Sequence, residues 1–354
     1  MRNIFTACLL SAAAAATALA QDATPAASPA TLLAPGEEKF LANVRQLTFG
    51  GQNAEAYWSA DGTRLIFQSD EGKLPCDQIF TMRADGSDRH RVSNGEGKTT
   101  CSYFYPSADR VLYASTFRAS PACPPRPDRS HGYVWALDDY DIYSARPDGT
   151  DIKTLFSSPG YDAEATISPD GKTIVFTSTR DGDLELYTMN ADGSNVKRMT
   201  NAPGYDGGAF FSDDGKRIVY RADHPSTPED LARYKENLAR HSYAPRSLEI
   251  RIMNADGTND HAVTANGAAN FAPFFLPGGK QIIFSSNVAD PKGRDFDLYT
   301  IRDDGTGLTR ITFSADFDGF PMFTRDGKRL VFASNRNGKQ PHETNIFVAD
   351  WIGN

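Results

Sequence analysis

Tyr161-Asp-Ala-Glu-Ala-Thr-Ile-Ser-Pro-Asp-Gly-Lys172, Ile174-Val-Phe-Thr-Ser178, Leu186-Tyr-Thr-Met-Asn-Ala-Asp-Gly193 and Lys197-Arg-Met-Thr200 make up one unit of a pattern that recurs six times along the chain. An internal repeat of this kind fixes the architecture, because each unit needs its neighbours to bury its apolar face. A first Asp-Gly series falls at Asp61-Gly62, Asp170-Gly171, Asp214-Gly215 and Asp326-Gly327, with degenerate forms at Ala108-Asp109 and Gly278-Gly279. A second falls at Asp85-Gly86, Asp148-Gly149, Asp192-Gly193, Asp256-Gly257 and Asp304-Gly305, and is lost at Asp350-Trp351. Asp-Gly between alternating apolar runs marks a tight hairpin, because the turn needs positive φ. Each unit therefore holds four short strands, and the pattern predicts an all-β, six-bladed β-propeller over residues 39–354.

The chain ends on Asn345-Ile-Phe-Val-Ala-Asp-Trp351, a third strand with no fourth behind it. Asn43-Val-Arg-Gln-Leu-Thr48 matches Asn195-Val-Lys-Arg-Met-Thr200 almost position for position, so this N-terminal strand is expected to complete the last blade. Residues 1–20 read as a cleaved secretory signal, with Arg2 before an apolar run and Ala18-Leu-Ala20 at its end. Residues 21–38, rich in Ala, Pro, Ser and Thr, read as a flexible leader. The formal net charge of −8 leaves no electrostatic footprint for nucleic acid, and no later segment is apolar enough for membrane insertion. A monomeric, periplasmic or secreted protein is expected. In that compartment Cys76, Cys101 and Cys123 allow one disulfide and one free thiol, with three pairings open.

The Ser-Pro-Asp-Gly and Met-Asn-Ala-Asp-Gly elements resemble the PD40 repeat of the WD40-like propellers, as in the TolB-like family and in propellers attached to tricorn-type proteases. Cys76-Asp-Gln-Ile, Thr100-Cys-Ser-Tyr-Phe104, Gly208-Ala-Phe-Phe211 and Phe317-Asp-Gly-Phe-Pro-Met322 look closer to exported, single-domain TolB-like propellers. The resemblance implies a scaffold that binds a protein or peptide partner.

Strand order places both Asp-Gly series on one face. The long insertions, Phe117 to Tyr140, Ala222 to Ser247, Asn287 to Phe296 and Asn335 to Thr344, all fall on the other, where binding usually sits. Within the second, Thr227 is an expected N-cap, Pro228 suits the first helical position, and Leu231, Tyr234 and Leu238 share a helix face. That helix reads equally as a lid, a docking element or a rim-packed structure.

Six positions before the turn serine, the blades carry Asn53, Cys101, Asp162, Asp206, Asn270 and Asp318; two positions later come Glu55, Tyr103, Glu164, Gly208, Ala272 and Phe320. In a propeller these positions enter the central channel from the loop-rich face. An oxygen-rich ring suits Ca²⁺, which makes Asp162, Asp206 and Asp318 metal candidates and Asn53, Asn270, Glu55 and Glu164 further ligand candidates. Strand-entrance capping explains the same residues. Crowded acids also call for a counter-charge, and Arg180 and Arg221 stand near the ends of second strands. The column Gln78, Asp141, Glu185, Glu249, Asp297 and Asn345 recurs in every blade and reads as a structural hydrogen-bond position. No nucleophile elbow, zinc-protease helix or phosphate loop is present, and no histidine enters the channel column. The chain is therefore expected to be a non-catalytic scaffold binding through its loop-rich acidic face. The alternative is a Ca²⁺-dependent, lactonase-like hydrolase or small-ligand receptor, with Glu55 or Glu164 as general base.

Overall fold

A computed structural model describes residues 32–72, 74–130, 132–290, 293–315 and 317–353. The expected signal, 1–20, and the first part of the leader lie outside them. Six four-stranded antiparallel sheets follow one another along the chain, and the innermost strand of each touches the innermost strands beside it. Those six strands are Asn53–Trp58, Thr99–Phe104, Asp162–Ile167, Tyr205–Phe211, Asn270–Phe275 and Asp318–Phe323. The molecule is a six-bladed β-propeller.

The second Asp-Gly series works as the turn chemistry requires. In blade three the Asp192 carboxylate accepts from Ser194 N (3.0 Å) and Ser194 Oγ (2.6 Å), and Gly193 has φ 86°. A Cβ at Gly193 would also run into the Leu155 carbonyl of blade two, so turn and blade packing both select glycine here. Asp85, Asp148, Asp256 and Asp304 repeat the carboxylate contact. Between the second and third strands, ring pairs Phe67–Phe80, Tyr113–Tyr143, Phe176–Tyr187, Phe284–Tyr299 and Phe332–Phe347 face one another in register, a cross-strand contact that stabilises the sheet.

The ring closes as the sequence predicts. Leu41–Gln46 pairs antiparallel with Asn345–Trp351, from Leu41 opposite Trp351 to Gln46 opposite Phe347. Asn43 and Asn195 are alike for a physical reason. Both hold positive φ (49° and 56°), Asn43 at the slip within its outer strand and Asn195 just before its own, a conformation that asparagine tolerates better than most residues.

The end of the expected leader, 32–38, is packed rather than free. Glu37 is fully buried, and its two carboxylate oxygens accept from Arg336 Nη1 (2.9 Å) and Nη2 (3.0 Å). Arg336 also reaches Asp318 (2.9 Å), so a two-acid, one-arginine cluster ties the N-terminal segment onto blade six. The composition of the leader hid this because only a few of its residues make the attachment: Glu37 at the arginine, and Leu32 and Leu33 against the core.

The insertions of blades two and four meet. Trp135–Ala136 pairs antiparallel with Ser242–Tyr243, forming an arch between them. The helix spans Pro228–Ala239, capped by Thr227, whose side chain accepts from Asp230 N (3.1 Å). Tyr234 is buried and donates to the Gly204 carbonyl (2.6 Å), while Leu231 and Leu238 pack beside it. The helix is thus anchored on the blades rather than standing over an open cleft. No helix among the described residues is long and apolar enough to cross a membrane.

Candidate ligand site at the channel mouth

Every innermost strand carries a β-bulge at the same place. Pairing slips between Ala54 and Tyr57, Thr100 and Tyr103, Ala163 and Thr166, Gly207 and Phe210, Phe271 and Phe274, and Gly319 and Met322. The bulged residues, Glu55, Cys101, Glu164, Gly208, Ala272 and Phe320, all have φ between 49° and 61°. A bulge re-aims a side chain, and here it brings all six bulged positions, five of them with side chains, to the cavity on the axis.

That changes the sequence-derived ring. Asn53, Asp162, Asp206, Asn270 and Asp318 lie at or one residue inside the starts of their strands, but Cys101 does not share their column: the blade-two counterpart is Thr99. The turn of blade two reads Tyr105-Pro106-Ser107-Ala108, with Tyr105 N bonded to Arg110 O as Ser168 N is to Thr173 O. Counting back from Ser107 therefore misplaces the strand by two residues. Nor do the acids of this column converge; each meets partners near its own strand entrance. Asp162 accepts from Ser158 N (2.7 Å) and Ser178 Oγ (2.5 Å). Asp206 meets His224 Nε2 (2.9 Å), and Asp318 meets Arg336. Asn53 and Asn270 donate to the Thr344 (2.9 Å) and Leu248 (2.7 Å) carbonyls. Burial raises all three carboxyls, Asp162 to about 6. Among the described residues no group of three metal-binding side chains forms.

The axis instead holds a cavity of about 30 Å³, lined on one side by Glu55, Cys101, Glu164 and Arg221 and on the other by Ala272 and Phe320. It has room for about two waters. Glu164 is buried and fully engaged, accepting from Arg221 Nη2 (2.6 Å), Thr177 Oγ1 (2.7 Å), Gly208 N (2.9 Å) and Tyr205 Oη (2.9 Å). Arg221 Nε donates to Tyr205 Oη (3.0 Å), and the Trp135 ring stacks on its guanidinium at 5.0 Å. Glu55 is different. Burial pushes its carboxyl up to about 7, with Glu164 and Asp77 adding to the rise; a hydrogen bond with the Cys101 thiol and the charge of Arg221 oppose it. Burial likewise drives the Cys101 thiol well above its ordinary range, so it stays protonated.

One layer further in, Tyr57, Tyr103, Phe210 and Phe274 meet across the channel, with Tyr57–Phe210 at 5.3 Å and Phe210–Phe274 at 5.6 Å. This aromatic floor divides the mouth from a second hollow on the turn face, lined by Ser59, Tyr105, Pro169 and Arg325 among others.

A family model for the TolB β-propeller domain, PD40, matches residues 116–229. Among solved structures, a protein from Agrobacterium tumefaciens described as a TolB is similar at 16% identity and TM-score 0.56, covering 85% of this chain and 90% of that one. TolB from Acinetobacter baumannii is similar at 18% identity and TM-score 0.57, covering 86% of this chain and 65% of that one. These likenesses show the six-bladed propeller fold, with the TolB β-propeller model matching its residues 116–229. An oligogalacturonate lyase from Vibrio parahaemolyticus shares the fold at 12% identity and TM-score 0.51, over 87% of this chain and 93% of that one. No protein with a curated description matches the sequence.

Around the mouth of this propeller, Phe271, Phe296, Phe317 and Phe320 form a half-exposed aromatic cluster on blades five and six, with Phe271–Phe320 at 5.4 Å. Tyr140 and Tyr161 stand edge to face at 5.7 Å, and Tyr161 packs against the apolar cluster that holds Tyr205. Cys76 and Cys123 form the disulfide, which pins the proline-rich insertion of blade two. Arg221 is the counter-charge for the acids; Arg180 stacks on Phe156 and Tyr187 instead. The column from Gln78 to Asn345 is structural: Gln78 accepts from Ser93 Oγ (2.7 Å) and Glu185 pairs with Arg198 (2.5 Å). Sequence reasoning missed Trp135, Tyr205 and the phenylalanine cluster, for which the only local signal was their density of aromatics within or beside the insertions.

Proposed function

We propose that this TolB-like propeller is an exported, periplasmic, non-catalytic scaffold that holds a protein or peptide partner on its loop-rich face. The size of the mouth carries the reading. A cavity of about 30 Å³ takes the tip of one side chain and no sugar ring or oligomer, so the rest of a ligand must spread over the surrounding loops. Those loops form a braced platform: the arch of two insertions, the disulfide and the anchored helix reduce the ordering cost of binding. Of the large apolar side chains exposed among the described residues, Phe49 (64%), Tyr133 (52%) and Phe313 (37%) fall in loops on this face.

The Ca²⁺-dependent alternative fits less well. Ca²⁺ takes six to eight oxygen ligands, yet the Glu164 oxygens are already occupied by Arg221, Tyr205, Thr177 and Gly208. Glu55 alone would offer uncommitted carboxylate oxygens.

Affinity capture from an envelope extract tests the scaffold. The wild type should retain a partner that Phe49→Ala with Tyr133→Ala loses and that Leu308→Ala, on the turn face, keeps. Capture of nothing, or equal capture by all three proteins, overturns it.

A further inference from the structure

We propose that the channel-mouth cavity is a receptor for a primary ammonium group carried next to an apolar side chain, as at the amino terminus of a peptide or on a lysine. The inference rests on the partner-binding reading of this face and names the chemical group that the partner inserts.

Charge is the first argument. Glu55, Glu164 and Arg221 line the cavity, and Asp77 lies close enough to act on Glu55. The single guanidinium is bonded to Glu164, leaving Glu55 with a thiol and no cation of its own. A half-buried carboxylate that has a thiol but no cation beside it favours a ligand that brings the missing positive charge.

Size and shape narrow the choice of cation. A space of about 30 Å³ admits a group the size of one or two waters, which suits an ammonium and is too small for a guanidinium with its hydration or a quaternary amine. A metal ion would find too few free oxygens. An ammonium needs only a few acceptors, and the aromatic ring of Tyr57 also lines the cavity.

The opposite wall supplies the rest. Ala272 and Phe320 line the cavity, and Phe271, Phe296 and Phe317 continue from Phe320 onto the loop-rich face. An ammonium seated at Glu55 therefore carries its neighbouring side chain against four phenylalanines. Binding should also release a proton near neutral pH, since the ammonium stabilises the ionised form of Glu55.

Calorimetry on the full protein at pH 8 tests this with three synthetic hexapeptides of otherwise identical sequence. One begins with a free Leu-Phe amino terminus, one carries the same terminus acetylated, and one is acetylated with an internal lysine. The free-terminus peptide, the lysine peptide or both should bind at least tenfold more tightly than the acetylated control, which also tells terminus from lysine. Glu55→Gln should remove that preference, and Phe320→Ala should weaken the amine-bearing peptides while circular dichroism stays unchanged. At pH 5.5, where Glu55 is protonated, the wild-type preference should shrink. Equal binding by all three peptides, binding by none, or a preference that survives Glu55→Gln overturns the inference. If Glu55→Gln still captures the partner as the wild type does, the ammonium site falls and the scaffold stands. If no partner is captured but the amine preference holds, the scaffold falls and the site stands.

Discussion

Replacing Glu55 by Gln should stabilise the protein at alkaline pH and leave it nearly unchanged in mild acid. The folded state holds the Glu55 carboxyl near 7 against an ordinary 4.5, because burial penalises the charge. The native state therefore binds this proton more tightly than the unfolded chain does. Its contribution is fully present below about 4.5 and is lost as the pH rises through 7. At 1.36 kcal/mol per pH unit the loss approaches about 3 kcal/mol by pH 8, an upper figure because the carboxyl is partly solvated. Glutamine keeps the shape and has no charge to bury. Urea unfolding midpoints measured for both proteins from about pH 4.5 to 8.5 should coincide at the acid end and diverge by roughly 1–3 kcal/mol at the other. Asp162 and Asp297 are raised to about 6 and about 7, but they titrate in both proteins and cancel in the difference. A difference that stays constant across the range would refute the reasoning, since Glu55 would then not be changing charge there.

Arg336→Ala should cost about 3–5 kcal/mol, because it leaves the buried Glu37 and Asp318 carboxyls without their shared cation; a thermal midpoint within error of wild type would count against it. Cysteine-to-serine replacement at Cys76 and Cys123 should cost about 2–4 kcal/mol by the loop-closure argument, the two being 47 residues apart. A reductant should then lower the denaturation midpoint of the wild type and leave the double variant unmoved. Gly208→Ala should lose more stability than Ala272→Gly gains, although the two occupy equivalent bulges at φ 61° and 49°. A Cβ at Gly208 would sit 3.0 Å from Arg221 Cζ, so the collision with the arm that reaches Glu164 adds to an αL cost of about 1 kcal/mol; equal and opposite midpoint shifts would remove Arg221 from the explanation.

The blade count, the closing strand, the plain and elaborated faces and the helix cap were all legible, because each depends on local chemistry: Asp-Gly turns, the asparagine shared by positions 43 and 195, Thr227 before Pro228. The site was legible only in part. Alternation along a strand puts residues i and i+2 on one face, so Asp162 and Glu164 read as neighbours in one channel. The bulge separates them: Asp162 turns to Ser158 and Ser178 at its strand entrance, and Glu164 turns to the axis. Nothing local announces the bulge, because five of the six residues that adopt it, Glu55, Cys101, Glu164, Ala272 and Phe320, are not glycine. Long-range residues stayed hidden for the same reason; Arg336 meets Glu37 across 299 positions.

That placement of strain has a chemical consequence. Non-glycine residues in the left-handed region are disfavoured, yet the ring repeats the conformation in every blade, so the bulge belongs to the scaffold and its side chain is free to vary. Blade four uses the freedom to omit a side chain. At Gly208 the Arg221 guanidinium lies where a Cβ would press, and the Gly208 N–H is left to donate to Glu164 (2.9 Å). Blades one and three supply carboxylates, while blades five and six supply apolar walls. Because one guanidinium serves two glutamates, Glu164 is neutralised and Glu55 is not. The same backbone device that builds the ring thus leaves one unmatched charge at its centre, beside a wall of phenylalanines, and a partner that supplies the opposite charge there gains more than one that merely covers the face.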